Sequence, residues 1–300
     1  MKQNTPHFLI WGAKGFIGAK AIDYFSSLGD CDFVARNANG KLNFFNAVTQ
    51  TIYDLPNSDE SLQQILNNTS ADVVLNAAAK ADIDFCSAHP AAARVSNVEL
   101  PEKLAFYTKQ AGKYFVHLST DAVFGQTNSM HAENVSPRPL SIYGKMKLES
   151  ELAVLSLRPD ALIIRTRPFG NDSNGKNLFN FFADSLINCQ AVNGYINSFF
   201  TPIYVSDLFM AIDTIVRDKA YGIWHIAGSE RISKHEFGTL VARHLQVDPK
   251  LVKPVKYEVK DANSARGLDT SLNTQKFTAI YGTVNSMDSG ILQSVNELTS

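Results

Sequence analysis

Residues 8–18 of this 300-residue chain, FLIWGAKGFIG, carry the pattern that decides the fold. The apolar run 8–11 stops abruptly at a glycine, as expected for a buried first strand. Glycines then recur at three-residue intervals, at Gly12, Gly15 and Gly18, and a helical spacing of apolar residues follows. A strand, a glycine turn and a helix in this order predict the start of a parallel α/β sheet.

The three glycines have separate mechanical roles in a turn that binds a pyrophosphate. Gly12 would allow the tight turn, Gly15 would let backbone N–H groups approach the anion, and Gly18 would let the helix pack close to the strand. The spacing differs from GxGxxG, but the helix start still offers free donors and a positive dipole end to a phosphate. The pattern therefore predicts a dinucleotide site, and the alternative is that these are turn glycines only.

Further apolar runs continue the same alternation along the chain. Strands are predicted at 33–35, 73–76, 114–118, 162–164 and 223–226, with helical patterns around 62–66, 140–155 and 207–216 and a long helical region that breaks near His89-Pro90. Together they predict a Rossmann-type doubly wound parallel sheet with a smaller, partly interleaved C-terminal substrate lobe. The dinucleotide-binding domain would comprise residues 1–168 plus about 199–230, and the substrate-binding lobe about 169–198 plus 231–300.

The composition excludes several classes of function. The chain has 28 Lys and Arg against 29 Asp and Glu, and its 45% hydrophobic residues are typical of a globular protein. The resulting formal net charge of −1 gives no bulk attraction to nucleic acid or to an anionic membrane. The apolar stretches are too short to span a bilayer and the N-terminus has no signal-peptide core, so we expect a cytoplasmic protein.

Motifs of other enzyme classes are missing. His235 begins a pattern typical of zinc proteases, but Thr239 stands where the second histidine would be. The chain has no GxxxxGKS/T phosphate loop and no GxSxG nucleophile turn. Cys31, Cys86 and Cys189 are odd in number and widely spaced, so we expect reduced thiols in or near the core and no metal site.

The residue that follows the second strand is expected to select the cofactor. An acidic residue there would bind the adenosine ribose and repel a 2′-phosphate. Here Arg36 follows the strand and Lys41 lies nearby, and a guanidinium favours the additional phosphate of NADP(H). NADP(H) is therefore the favoured cofactor and NAD(H) the alternative, since Arg36 could also be a solvated surface residue.

Tyr143 and Lys147 are spaced as a YxxxK pair on a predicted helix, so the two side chains share a face. An ammonium about 4 Å away, at an effective dielectric of about 20, favours a phenolate by roughly 4 kcal/mol, or about 3 pKa units. That shift would give the phenol the pKa that a general acid needs. Upstream, the strand 114–118 ends in Ser119-Thr120, where a hydroxyl could bind a substrate carbonyl or cap a helix.

These segments occur in the order seen in extended short-chain dehydrogenases/reductases, and within them the chain resembles the dTDP-4-dehydrorhamnose reductase group. The similar segments are 76–84 (NAAAKADID), 117–124 (HLSTDAVF), 143–147 (YGKMK), 164–166 (IRT), 199–208 (FFTPIYVSDL) and 266–277 (RGLDTSLNTQKF). They are spread over nearly the whole chain, so the resemblance covers both predicted lobes.

The resemblance implies an oxidoreductase that uses NAD(P)H to reduce the 4-keto group of a nucleotide-diphosphate sugar. Thr120 would orient the carbonyl, Tyr143 would protonate its oxygen, and Lys147 would bind the nicotinamide ribose and lower the tyrosine pKa. Asn97 matches the helix asparagine that supports this lysine. The cofactor would contact Gly12, Gly15, Phe16, Ile17, Gly18, Arg36, Asp54, Leu55, Ala77, Ala78, Ala79, Asn97 and Lys147. The sugar nucleotide would contact Lys80, Asp121, Asn177 and Arg266.

The chain departs from the group at three places, and two alternatives stay open. Ala122 stands where an aromatic residue is usual, Arg167-Pro168 where Ser-Trp is usual, and Gly267 where Pro is usual. An epimerase or dehydratase on the same scaffold is one alternative, although a dehydratase usually has Glu in place of Ala122. A non-catalytic, NADP-binding regulatory subunit is the other, and a homodimer is a possible assembly for each.

Overall fold

The computed structural model describes residues 6–35, 51–54, 58–125, 129–172, 175, 177–258 and 265–299. The chain divides into two compact units, each made of several stretches of sequence. Unit 1 consists of Met1–Ser119, Met146–Ile164 and Phe209–Ile223, and unit 2 of Thr120–Lys145, Arg165–Leu208 and Trp224–Ser300. The assignment of a nucleotide-binding and a substrate-binding role to separate parts of the chain stays a prediction.

Strands and helices alternate through most of the chain. The strands are β1 (Phe8–Trp11), β2 (Cys31–Ala35), β3 (Ile52–Asp54), β4 (Val73–Asn76), β5 (Tyr114–Leu118), β6 (Leu162–Arg165), β7 (Pro168–Phe169), β8 (Val192–Tyr195), β9 (Phe199–Phe200), β10 (Ile203–Tyr204), β11 (Gly222–His225), β12 (Ile232–Ser233) and β13 (Val252–Val255). The α-helices are α1 (Phe16–Leu28), α2 (Asp59–Asn68), α3 (Ile83–Ala88), α4 (Pro90–Arg94), α5 (Leu100–Gln110), α6 (Ile142–Leu157), α7 (Leu178–Ile187), α8 (Val205–Arg217), α9 (Lys234–His244), α10 (Gln275–Tyr281) and α11 (Met287–Thr299). Shorter turns of 3-10 helix lie at Asp121–Val123 and Pro249–Leu251.

A seven-stranded sheet has the order β11-β6-β5-β4-β1-β2-β3. Strands β1 to β6 run parallel. From β1 the chain moves outward through β2 and β3, then returns to the other side of β1 with β4. This reversal between β1 and β4 is the switch point at which doubly wound sheets bind their ligands. The predicted Rossmann-type sheet is confirmed.

The strands are apolar throughout because both faces of the sheet are covered. On one face, Trp11 of β1 belongs to a buried cluster with Leu104 of α5. On the other face, the ring of Phe8 stacks on Phe25 of α1 at 3.8 Å between centroids, and Phe25 lies 5.7 Å from Phe209 of α8. Burying a side chain of this size stabilises the fold by about 1.5–3 kcal/mol. Alternating side chains of β1 therefore hold helices on opposite faces.

Unit 2 has an aromatic core of its own. Among its described residues, β7 pairs with β10, β9 with β12 and β8 with β13, each pair forming a two-stranded sheet. The ring of Phe237, on α9, lies 5.2 Å from Phe169, 5.7 Å from Phe200 and 6.3 Å from Phe182. These contacts join α7, α9, β7 and β9 around one aromatic cluster.

Several predicted boundaries are confirmed. Strands β1, β4 and β5 have the predicted residues, and the long helical region breaks at Pro90, the first residue of α4. Proline is favoured at this position because the N–H that it lacks would have no partner in the helix. The prediction for the thiols is confirmed for Cys31 and Cys86, which are buried, and wrong for Cys189, which is exposed. Cys189 has a left-handed backbone (φ 54°) where the chain leaves α7.

The described ranges give no sign of a membrane span or of a metal cluster. No helix in them is both long enough and apolar enough to cross a bilayer. The same ranges contain no group of three or more His, Cys, Asp or Glu side chains placed to hold a metal ion.

Candidate active site and cofactor turn

The glycine turn joins β1 to α1 in unit 1. Gly12 has φ +95°, a conformation that favours glycine, and a Cβ there would lie 2.7 Å from the main-chain nitrogen of Ala78. At Gly18 a Cβ would overlap the carbonyl of Gly12. Gly15 differs, because its Cβ would meet only the Gly12 oxygen, at 3.4 Å. Packing therefore requires glycine at positions 12 and 18, whereas at 15 the missing side chain leaves open space before α1.

The start of α1 fits a pyrophosphate. Gly15 is the N-cap and offers no side chain to the N–H groups of the first helical turn, which also contains no acidic residue. Phe16 and Ile17, which provide these groups, are partly exposed. Ala77 and Ala78 follow β4 beside the turn and are small and half-buried. The donors, the positive helix end and the small neighbouring side chains thus fit the phosphates of a dinucleotide.

The residues predicted to contact the adenosine lie at or directly after the ends of β2 and β3, the last two strands in the order of the sheet. Ala35 is the last residue of β2, and in the parallel register it lies opposite Asp54 of β3. Asp54 is therefore at the carboxyl edge of the sheet, and its contact with the adenosine stays a prediction. Arg36 and Leu55 fall outside the described residues, so the role of Arg36 in selecting NADP(H) stays a prediction.

Lys147 is fixed inside unit 1 at the end of β5. Its Nζ donates to the main-chain oxygen of Leu118 at 2.8 Å and lies 3.1 Å from Nε2 of His117. The side chain is only 1% exposed, and this burial lowers the pKa of Lys147 to about 8, although the carboxylate of Glu151 opposes the shift. Near pH 8, Lys147 therefore exchanges between a charged and a neutral amine.

His117 connects β4, β5 and α6. Asn76 Oδ1 accepts the N–H of Ala78 at 3.1 Å, so its Nδ2 donates to Nδ1 of His117, also at 3.1 Å. A neutral imidazole then carries its proton on Nε2, which faces Ser150 Oγ as well as Lys147. Burial and the nearby Lys147 hold the pKa of His117 well below its usual range. The imidazole is therefore neutral, and its Nε2 proton disfavours a charged ammonium at Lys147.

The two candidate hydroxyls after β5 have different local partners. Ser119 donates to the buried carboxylate of Glu151, which lies one turn beyond Lys147 on α6. Thr120 Oγ1 accepts the N–H of Ala122 at 3.2 Å and so caps the 3-10 turn that begins at the next residue. The helix-capping role that the sequence analysis gave as an alternative therefore belongs to Thr120, whose hydroxyl donates in turn to Oδ1 of Asp121 at 3.3 Å.

Tyr143 lies in the first turn of α6, and its side chain is 8% exposed. The next residue, Gly144, has no space for a side chain, because a Cβ there would overlap the main-chain oxygen of Ala122. The start of α6 therefore packs backbone to backbone on the turn that follows Thr120, within unit 2. Lys147 follows Tyr143 by four residues on the same helix, as the YxxxK spacing predicts.

Other predicted site residues use their polar groups locally. The Asn97 amide accepts the N–H of Lys80 at 2.7 Å and donates to its carbonyl at 3.0 Å, and no bond joins it to Lys147 among the described residues. Asn177 caps α7. Lys80 is exposed, with Nζ 4.1 Å from the centroid of the Phe85 ring. Ligand contacts by these three residues stay predictions.

A second polar group surrounds Asp121 in unit 2. The buried carboxylate accepts the hydroxyl of Thr270 at 2.6 Å and lies 3.6 Å from the guanidinium of Arg167. Lys234, the first residue of α9, is nearby, and its pKa is lowered to about 7 by burial and by the charges of Arg167 and Arg266, whereas Asp121 opposes that shift. Sequence reasoning missed Lys234, and it noticed Arg167 only as a departure from the family pattern.

Comparisons with known proteins agree with this fold. Residues 7–299 match the RmlD substrate binding domain family. The chain is 26% identical to a dTDP-4-dehydrorhamnose reductase of Mycolicibacterium smegmatis over 275 residues, which are 91% of this chain and 79% of that protein. It is 25% identical to methionine adenosyltransferase 2 subunit beta of Danio rerio over 295 residues, 94% of this chain and 88% of that protein. A dTDP-4-dehydrorhamnose reductase from Bacillus anthracis, solved in complex with NADP, has the same fold with a TM-score of 0.79 at 20% identity, covering 97% of this chain and 99% of that chain.

Proposed function

The chain belongs to the RmlD substrate binding domain family, and from that premise we propose that it is an NADPH-dependent reductase of a nucleotide-activated 4-keto-deoxysugar. One observation carries the proposal. Lys147 is anchored to Leu118 at the carboxyl end of β5, one helical turn after Tyr143. This is where a doubly wound sheet binds its ligands, and a tyrosine there can act as a general acid.

The chain's own residues would manage the proton. Tyr143 donates its hydroxyl proton to the carbonyl oxygen as negative charge develops there. A charged Lys147 stabilises the phenolate that remains, and Thr120 donates a second hydrogen bond to the same oxygen. The hydride that completes the reduction is what NADPH supplies when bound. A reductase of this kind needs Lys147 in its charged form. The pKa of Lys147, about 8, meets this need, because the ammonium is then mostly protonated at neutral pH.

The cofactor would be held mainly by main-chain groups. The N–H groups at the start of α1 would bind the pyrophosphate, and Gly15 would give it room. Ala77, Ala78 and Ala79 would line the bound cofactor, with Arg36 on its 2′-phosphate. The Bacillus anthracis reductase, which was solved with NADP, supports NADP(H) as the cofactor, and NAD(H) is the alternative.

The names of the relatives support the proposed substrate class. The Mycolicibacterium smegmatis protein is named a dTDP-4-dehydrorhamnose reductase, which supports a nucleotide-diphosphate sugar here. Lys80, Asp121, Asn177 and Arg266 remain the proposed contacts to it. Arg167-Pro168 and Ala122 depart from the usual pattern where the sugar would be held. The proposal therefore includes substrates whose keto sugar differs from that of dTDP-4-dehydrorhamnose.

A regulatory subunit is the second candidate. The Danio rerio relative, a subunit of methionine adenosyltransferase, is aligned over 94% of this chain, slightly more than the reductase from Mycolicibacterium smegmatis. In favour of catalysis, this chain retains Thr120, Tyr143 and the anchored Lys147 together.

An epimerase on the same scaffold differs in its kinetics, because it turns over without consuming NADPH.

The deciding experiment incubates the purified protein with NADPH and a panel of dTDP- and UDP-linked 4-keto sugars while the nicotinamide absorbance is followed. We expect NADPH oxidation with at least one sugar, and oxidation at least about 100-fold slower in Tyr143→Phe. Binding of NADPH without oxidation by any sugar would favour the regulatory subunit. Conversion of a sugar nucleotide without NADPH consumption would favour the epimerase.

A further inference from the structure

Three cations and one carboxylate meet in unit 2 around Asp121. Arg167, Lys234 and Arg266 contribute three positive charges when Lys234 is protonated, and Asp121 contributes one negative charge. The group therefore carries a net charge of two positive. Thr270 already occupies one oxygen of Asp121, and the ion pair with Arg167 spans a long 3.6 Å. A single carboxylate thus compensates the cations only in part.

The main chain of Lys234 is held in place, but its ammonium makes no ion pair with a described residue. Its main-chain N–H donates to the oxygen of buried Ser198 at 3.0 Å, which fixes the start of α9. The side chain is half-buried, and its Nζ lies 5.7 Å from the ring centroid of Tyr195. Within the ranges that the structure describes, Nζ makes no hydrogen bond and no ion pair. Burial without a hydrogen bond or an ion pair disfavours the charged form of Lys234, and an anion bound beside it would favour that form.

Arg266 is placed next to the same aromatic residues. Its main-chain N–H donates to the hydroxyl of Tyr257 at 3.1 Å, and the ring of Tyr257 lies 5.2 Å from that of Tyr195. Its guanidinium, too, has no hydrogen bond or ion pair to any described residue. The Lys234 ammonium and the main chain of Arg266 therefore lie beside the same pair of tyrosine rings. The side chains of both residues have donors available for an oxyanion.

We propose that Lys234, Arg167 and Arg266 form a binding site for a doubly charged oxyanion. The inference rests on the proposed function, because the anion would be part of the nucleotide sugar. The diphosphate of such a sugar has two negative charges, which match the net charge of the group once Lys234 is protonated. A carboxylate on the sugar offers the same oxyanion chemistry, so the two sources are separated by experiment.

If Lys234 binds the anion, binding is expected to be accompanied by proton uptake, which a purely structural lysine would not show. The charged groups that face Lys234 are Arg167, Arg266 and Asp121. In the free protein, burial and the two arginines lower the pKa of Lys234 to about 7, so much of it is neutral at pH 7.5. A bound oxyanion favours the ammonium, so binding takes up a proton from the buffer.

Titration calorimetry tests the proposal with dTDP and UDP as probes at pH 7.5. We expect Lys234→Gln to weaken binding at least tenfold, and Arg167→Gln to weaken it as well. Lys250→Gln removes an exposed lysine from the same unit and is the matched control, with unchanged affinity. Lys234→Arg is expected to keep most of the affinity but to lose the proton uptake, measured in buffers of different ionisation enthalpy, because arginine stays charged.

A second pair of ligands, UDP-glucose and UDP-glucuronate, distinguishes a diphosphate from a sugar carboxylate as the bound oxyanion. Equal dependence of UDP and both sugars on Lys234 assigns the site to the diphosphate. Dependence confined to UDP-glucuronate assigns it to a sugar carboxylate. Wild-type affinity of Lys234→Gln and Arg167→Gln for every probe, with unchanged melting temperatures, overturns the proposal.

This outcome is separable from the failure of the proposed reductase. Binding of dTDP that depends on Lys234, with no NADPH oxidation by any keto sugar, retains the site and removes the reductase. NADPH oxidation with an unchanged KM for the sugar nucleotide in Lys234→Gln retains the reductase and removes the site.

Discussion

Lys147 Nζ lies 2.8 Å from the main-chain oxygen of Leu118, and this bond fixes the ammonium at the carboxyl end of β5. Leu118 is the last residue of that strand, so the anchor connects α6 to the sheet edge at which parallel α/β folds bind ligands. Burial of the same ammonium lowers its pKa to about 8. The buried position of Lys147 at the end of β5 therefore also determines its pKa. The pH dependence of activity is for this reason a test of the proposed site.

Glu151→Gln is expected to move the loss of activity at alkaline pH to a lower pH. The Glu151 carboxylate raises the pKa of Lys147 against the effect of burial, so its removal lets that pKa fall further below its usual value. The ammonium that stabilises the Tyr143 phenolate is then lost at a lower pH. Glutamine still accepts the hydroxyl of Ser119, so the fold around it is retained. The measurement is kcat between pH 6 and 10.

Glu149→Gln is the matched control for this experiment. Glu149 lies on the same helix but is exposed and pairs with Arg94 at the surface. The alkaline limb of its pH profile should coincide with that of the unmodified protein. Coincident profiles for Glu151→Gln and Glu149→Gln would remove Lys147 as the titrating group.

Gly15→Ala is expected to weaken NADPH binding at least tenfold with little loss of stability. Position 15 has φ −83° and space for a methyl group, so the change in unfolding free energy should stay within about 1 kcal/mol. The methyl group would, however, stand in front of the N–H groups of α1. Gly18→Ala is the structural comparison, because its Cβ overlaps the Gly12 carbonyl and should lower the melting temperature. Normal NADPH affinity in a stable Gly15→Ala protein would place the cofactor elsewhere.

The sequence predicted the central sheet well because its signals are local. A short, mostly apolar run is enough to identify β1, β4 and β5. Strand β3 could not be found in this way, since its three residues join the sheet through their pairing with β2. The polar strands β8 and β13 likewise owe their structure to each other.

In the candidate site, too, the sequence revealed the residues that form a local pattern and missed those that are brought together by the fold. Tyr143 and Lys147 are visible because they are four residues apart on one helix. His117 was invisible as a site residue, because its role depends on Asn76 and Ser150, which are 41 and 33 residues away in the chain. Lys234 gave no signal either, since its neighbours Arg167 and Arg266 reach it only through the fold.

Arg36→Ala is expected to weaken NADPH binding by at least tenfold and NADH binding much less. A guanidinium recognises the 2′-phosphate, which only NADPH carries, through charge-assisted hydrogen bonds. Dissociation constants for both cofactors, measured by fluorescence titration, give the ratio directly. Arg243→Ala removes an exposed arginine of α9 and should leave both constants unchanged. Equal weakening of NADPH and NADH by Arg36→Ala would assign the 2′-phosphate to another residue.

Tyr143→Phe is expected to lower kcat at least about 100-fold, the lower range for loss of a general acid. Phenylalanine keeps the ring that packs at the start of α6, so stability and NADPH affinity should change little, while the proton for the carbonyl oxygen is gone. Tyr221→Phe removes a hydroxyl from a tyrosine that is 69% exposed and is the control for a general effect of the substitution. Because Lys147 cannot protonate the carbonyl at the same position, it should not rescue the variant at any pH. Turnover of Tyr143→Phe near that of Tyr221→Phe would therefore remove the phenol from the reaction.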